Sequence, residues 1–210
     1  MAADDGIAWI GARWPDDDAD PLLGVQAGLV FAEGIAPQDL AVVFGAVPWE
    51  MPEPVGAEAK AVWDRTHPCT RVPDEPLLTV YGKEGEWSFL AGHFDYLVPF
   101  REDFALPRGT GRAVLLYNIA AKGMSLMACF EGGREVWHGE IPGGSGSRQG
   151  AGEPAFLDQA VREACRGEGG HRSGDWRKRF LGSLGTAFGF SVCQETFDAG
   201  GYPLAAVHLS

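Results

Sequence analysis

The stretch Arg112–Ile141, RAVLLYNIAAKGMSLMACFEGGREVWHGEI, constrains the fold more than any other part of the chain. Arg112–Ala120 is rich in strand formers, with Ala113, Leu115, Tyr117 and Ile119 on one face of an extended backbone. Lys122-Gly123 offers a reversal, and Met124–Phe130 follows as a second strand. Gly132-Gly133 supplies the positive φ angles of a two-residue hairpin turn, and Arg134–Ile141 returns as a third strand. Along that third strand Arg134, Val136, His138 and Glu140 alternate with Trp137, Gly139 and Ile141, which gives a polar outer face. Three antiparallel strands in succession are therefore expected at the centre of the fold.

Around this meander the pattern mixes strands and helices. Ile7–Trp14 carries alternating apolar residues and two tryptophans, and Gly24–Ala32 reads as a strand. A short helix is expected from Pro37 to Phe44, with proline in its first turn, Asp39 near the positive end of the dipole, and Gly45 closing it. A second is expected over Ala57–Thr66. Leu77–Tyr81 and Trp87–Ala91 flank a Gly-containing link and read as a hairpin. The segment that follows is loop-like, with a short helix around Arg101–Ala105. Pro154–Cys165 and Trp176–Phe188 have helical apolar spacing, and Ser191–Phe197 and Leu204–Leu209 are expected as closing strands. The expected class is α+β: a largely antiparallel sheet of about six to eight strands, with the helices packed on one face. The 210 residues suit a single domain with an acidic elaboration at about 1–23 and a Gly/Ser connector at 142–153.

Charge narrows the partners. The net charge is −12, and residues 1–70 hold 12 acids against 3 bases, a net of −9. Such a balance argues against generic binding to nucleic acid or to an anionic membrane. The first 20 residues lack the apolar core of a signal peptide, and no apolar run approaches the roughly 20 residues of a membrane helix. Cys69, Cys129, Cys165 and Cys193 form no CxxC pair, so reduced thiols and a cytoplasmic location are expected. Scarce lysine beside abundant Arg, Ala and Gly is the bias of a GC-rich bacterial genome.

Several motifs invite a chemistry that their spacing then refuses. Asp16, Asp18 and Asp20 alternate as in a calcium loop, but Pro21 stands where the loop needs glycine and Ala27 where it needs glutamate. Gly143–Gly150 has neither GxGxxG spacing nor the Lys-Ser/Thr pair of a P-loop. His138-Gly139-Glu140 matches the H-x-E start of the zinc deaminases, yet no P-C-x-x-C segment supplies the thiolates. His67-Pro68-Cys69 and His93-Phe94-Asp95 are same-face pairs without an orienting third group. The basic cluster Arg162, Arg166, His171, Arg172, Arg177, Lys178 and Arg179 reads as the solvated side of two helices.

Three segments, VQAGLVFAEGIAPQDLAVVFGA, LLTVYGKEGEWSFLAG and LGTAFGFSVCQETFDAGGYPLAAVHL, together resemble a family of uncharacterised domains common in actinomycetes. Gly34, Pro37, Gly45, Gly85, Trp87 and Gly189 carry the likeness. The resemblance implies an α+β domain without assigned chemistry, and no catalytic residue transfers with it.

The leading functional expectation is a non-enzymatic cytoplasmic protein-binding module, of immunity or toxin-neutralising type, that meets a basic partner. Its surface is assigned to Asp16, Asp17, Asp18, Asp20, Trp49, Glu50 and Glu53, where a loop tryptophan is ringed by acids. One alternative is a small-molecule-binding protein or enzyme whose pocket on the concave face of the sheet gathers His67, Cys69, His93, Asp95, Tyr117 and His138. Another is a homo-oligomeric structural unit in which the basic C-terminal helices meet the acidic third. No metal or cofactor is expected in any of the three.

Overall fold

The computed structural model describes residues 6–13, 25–48, 77–92, 104–119, 124–141, 149–150, 159–160, 162 and 176–207. Its strands are β1 (Val25–Glu33), β2 (Ala46–Pro48), β3 (Leu77–Glu84), β4 (Trp87–Gly92), β5 (Arg112–Ile119), β6 (Met124–Glu131), β7 (Arg134–Ile141), β8 (Gln149–Gly150) and β9 (Leu204–Val207). Its helices are α1 (Ala8–Arg13), α2 (Pro37–Val43), α3 (Trp176–Phe188) and α4 (Gln194–Asp198). The nine strands make one sheet in the order β2-β9-β3-β4-β1-β5-β6-β7-β8. Every pairing is antiparallel. The expected α+β class with a largely antiparallel sheet is what the chain adopts.

The meander forms as β5-β6-β7, but it does not occupy the middle. That place falls to β1, which inserts between β4 and β5 and so joins the β3-β4 hairpin to the meander. The hairpin is tighter than its sequence suggests. β3 runs on through Gly82 to Glu84, so only Gly85-Glu86 turn, with Gly85 at φ 57°. Gly82 pairs with Phe89 within the strand, and the position takes glycine because an added Cβ there would lie 2.7 Å from the Tyr202 ring and 2.9 Å from Phe89.

Both faces of the sheet are packed. On the first, Leu29, Phe31, Trp87, Phe89, Val114, Leu116, Met127, Cys129 and Trp137 meet Ile7 and Trp9 of the α1 region and Phe180, Leu181 and Leu184 of α3. Phe190 seals this layer: it stacks on Phe31 at 4.0 Å between centroids and meets Trp87 edge-on at 5.2 Å. The Trp9 indole donates to the Val192 carbonyl at 2.9 Å, tying α1 to the segment that leaves α3. On the second face Val30, Leu90, Leu115, Ala128 and Phe130 meet Leu40, Ala41 and Phe44 of the α2 region and Leu106. Helices placed on one face thus describe α1 and α3, while α2 lies on the other. The cause is legible in β5, whose Val114 and Leu116 are as apolar and as buried as Ala113, Leu115 and Tyr117, so each side of the strand needs a cover.

Three local expectations are corrected. Ser191–Phe197 is not a strand: Phe190 and Val192 are the buried positions, and Gln194 then opens α4 with Glu195 in its first turn. Phe104 and Ala105 are not helical, and Leu106 donates its backbone N–H to the Gly133 carbonyl at 2.9 Å, fastening this segment to the β6-β7 turn. Within the Gly/Ser connector, Gln149-Gly150 pairs with His138 and Trp137 as β8. Gln159, Ala160 and Arg162 are helical, as the 154–165 pattern predicts. The helix expected over 57–66 lies outside the described residues.

Candidate functional site

Most of the residues singled out from sequence lie outside the described residues: Asp16, Asp17, Asp18, Asp20, Trp49, Glu50 and Glu53 of the acidic surface, and His67, Cys69, His93 and Asp95 of the alternative pocket. Tyr117 and His138 are described, and the register places both on the second face. Tyr117 is opposite Leu126, which is opposite Glu140; Leu115 is opposite Ala128, which is opposite His138. Tyr117 and His138 therefore stand two strands and one register step apart, with β6 between them. Tyr117 is 1% exposed and belongs to the core. His138 is half-buried near the sheet edge.

The imidazole of His138 is engaged within its own strand. Its Nδ1 pairs with Glu135 at 2.5 Å, not with Glu140. Residues three apart on a regular strand face opposite ways, but β7 is bulged. Phe130 is opposite Glu135 while Cys129 is opposite Trp137, so Val136 is the extra residue. The insertion brings Glu135 to the face of His138 and leaves Val136 unpaired and 37% exposed. It also moves Arg134 to the first face, in register with Glu131 and Arg112. The simple alternation of Arg134 with His138 is corrected accordingly.

One register row on the second face has an unusual composition. Ala205 of β9, Thr79 of β3, Gly92 of β4, Gly28 of β1 and Tyr117 of β5 stand side by side. Two facing glycines between Thr79 and Tyr117 leave two adjacent positions of this buried row without side chains, over roughly 14 Å at ordinary strand spacing. Gly92 has φ 133°, a conformation other residues rarely adopt. Thr79 is 0% exposed, and its hydroxyl finds no hydrogen-bond partner. A buried hydroxyl of this kind costs about 1–3 kcal/mol. Glycine inside a strand marks a bend or a close approach by backbone or ligand. No local motif announces this row, because its members are separated by as many as 177 positions in the chain (205 − 28).

Two polar clusters tie the rim. Glu33, at the end of β1, accepts from Arg112 Nη2 at 2.6 Å, from its Nε at 3.2 Å and from its backbone N–H at 3.1 Å. The same guanidinium lies over Trp87 at 5.3 Å and Phe188 at 5.8 Å. Hydrogen bonding to Arg112 holds the Glu33 carboxyl below its usual range. At the hairpin end, the Tyr202 hydroxyl donates to Glu84 and accepts the Cys193 backbone N–H at 3.2 Å. Burial, reinforced by the Glu84 carboxylate, pushes the Tyr202 phenol well up. Both clusters join segments far apart in sequence and read as structural ties. Sequence reasoning missed them for that reason.

The thiols differ. Burial, with Glu131 and Glu135 nearby, pushes Cys129 up to about 12, so it holds its proton at neutral pH. Cys193 is partly exposed. Among the described residues no three His, Cys, Asp or Glu side chains gather as a metal site, and no helix is long and apolar enough to cross a membrane. No family model matches the chain, and no curated protein or solved structure matches it.

Proposed function

We propose that this chain is a non-enzymatic protein-binding module of the cytoplasm that meets a basic partner through its acidic N-terminal third, with toxin neutralisation as the most concrete form. The observation that carries this reading is the concentration of charge, net −9 over residues 1–70 out of −12 in all. Such a surface accelerates encounter with a basic protein and refuses an acidic one. The double-sided core supports it, since the sheet serves as a rigid scaffold with its centre closed on both faces. The test is co-purification from the native host at 50 and 500 mM salt, with Asp16, Asp17, Asp18 and Asp20 all changed to Asn in a parallel sample. The expected result is a basic partner retained at low salt, released at high salt, and bound at least tenfold more weakly by the neutralised chain. A partner held equally by both chains at both salts refutes the reading.

A second reading, a small-molecule site on the second face, draws on the row Thr79-Gly92-Gly28-Tyr117. A small, mostly apolar molecule with one hydrogen-bonding atom suits two adjacent glycine positions beside one unpartnered hydroxyl. Thr79→Val keeps the side-chain shape and removes that hydroxyl. The second reading expects ligands that raise the melting temperature of the native chain and not of the variant; equal shifts in both count against it.

A further inference from the structure

We draw no further inference here: the strongest remaining candidate, the groove of about 430 Å³ between α3 and the helical residues Gln159 and Ala160, is floored by the small residues Gly182, Ser183, Thr186 and Ala187 of one helix face, and nothing among the described residues points to a ligand in it.

Discussion

Phe190 offers the sharpest test of how the first face is built. It is 2% exposed and contacts three rings, stacking on Phe31 at 4.0 Å and on Phe188 at 5.5 Å and meeting Trp87 edge-on at 5.2 Å. Truncation to alanine removes a buried aromatic ring and leaves a cavity between β1, β4 and the end of α3. Such substitutions cost about 3–5 kcal/mol. The upper half of that range is expected, because the lost ring contacts add to the transfer term and Phe31 and Trp87 sit on paired strands that cannot collapse into the gap. For a domain of this size each kcal/mol lowers the melting temperature by about 2–4 °C, so a fall of roughly 8–20 °C follows. Urea unfolding of the native chain, Phe190→Leu and Phe190→Ala gives the free energies directly. Leucine is expected to recover about half the loss by refilling part of the volume. A loss below about 1 kcal/mol for alanine, with an unchanged denaturant slope, would show that Phe190 does not seal this layer.

Other outcomes follow from single contacts. The Glu33 carboxyl is held below its usual value, so its bond to Arg112 stabilises the fold at neutral pH and loses that contribution as pH falls through the lowered folded value. With the Arg112 side chain 48% exposed, Arg112→Gln is expected to cost only about 0.5–1 kcal/mol at pH 7, and the share due to Glu33 fades as pH falls through that lowered value, measured by urea unfolding. Gly34→Ala and Gly85→Ala both meet positive φ, but only the first drives a Cβ to 2.6 Å from the Gly109 carbonyl. Gly85→Ala is expected to cost about 1–2 kcal/mol and Gly34→Ala clearly more, and equal melting temperatures would contradict the packing of that rim. Alkylation with iodoacetamide at pH 8, followed by peptide mass mapping, is expected to label Cys193 well before Cys129, whose thiol is pushed up to about 12.

What the sequence discloses divides along contact range. The meander, the β3-β4 hairpin, α2 and α3 are all legible, because apolar periodicity and turn glycines act over a few residues. The central place of β1 is not, since Val30 is opposite Leu90 on one side and Leu115 on the other, 60 and 85 positions away. Nor is the place of β9 between β2 and β3, which closes a pairing of Ala46 with Val207. The bulge at Val136 has no local signal either. Arg134–Ile141 reads as regular alternation, and only the register with β6 shows where a residue has been added. Ser191–Phe197 reads as a strand because Val192, Thr196 and Phe197 are strand formers, whereas a turn of helix at Gln194 places Phe197 against Trp9 at 5.0 Å. Of the residues nominated for function, Tyr117 illustrates the limit most clearly. Its alternation with Leu115 correctly gives its face, but its burial depends on what stands across three other strands.

The two functional readings make opposite demands on the centre of the sheet. An acidic binding surface needs only a stable scaffold, and the row through Thr79, Gly92 and Gly28 weakens one. One glycine inside a strand, Gly28, and one unpartnered hydroxyl together cost about 1.5–4 kcal/mol relative to alanine and valine, against a total stability of about 5–15 kcal/mol. On the scaffold reading Thr79→Val is a gain without a loss: the variant is more stable by about 1 kcal/mol or more and binds its partner unchanged. On the pocket reading the same variant is equally stabilised and loses ligand, because the hydroxyl is kept for a contact that the free chain does not make. Stability and binding measured on this one substitution therefore separate a surface that works by charge from a sheet face that works by shape. Partner binding that falls with Thr79→Val while stability rises would place the working surface on the second face, and the acidic third would then serve only to steer.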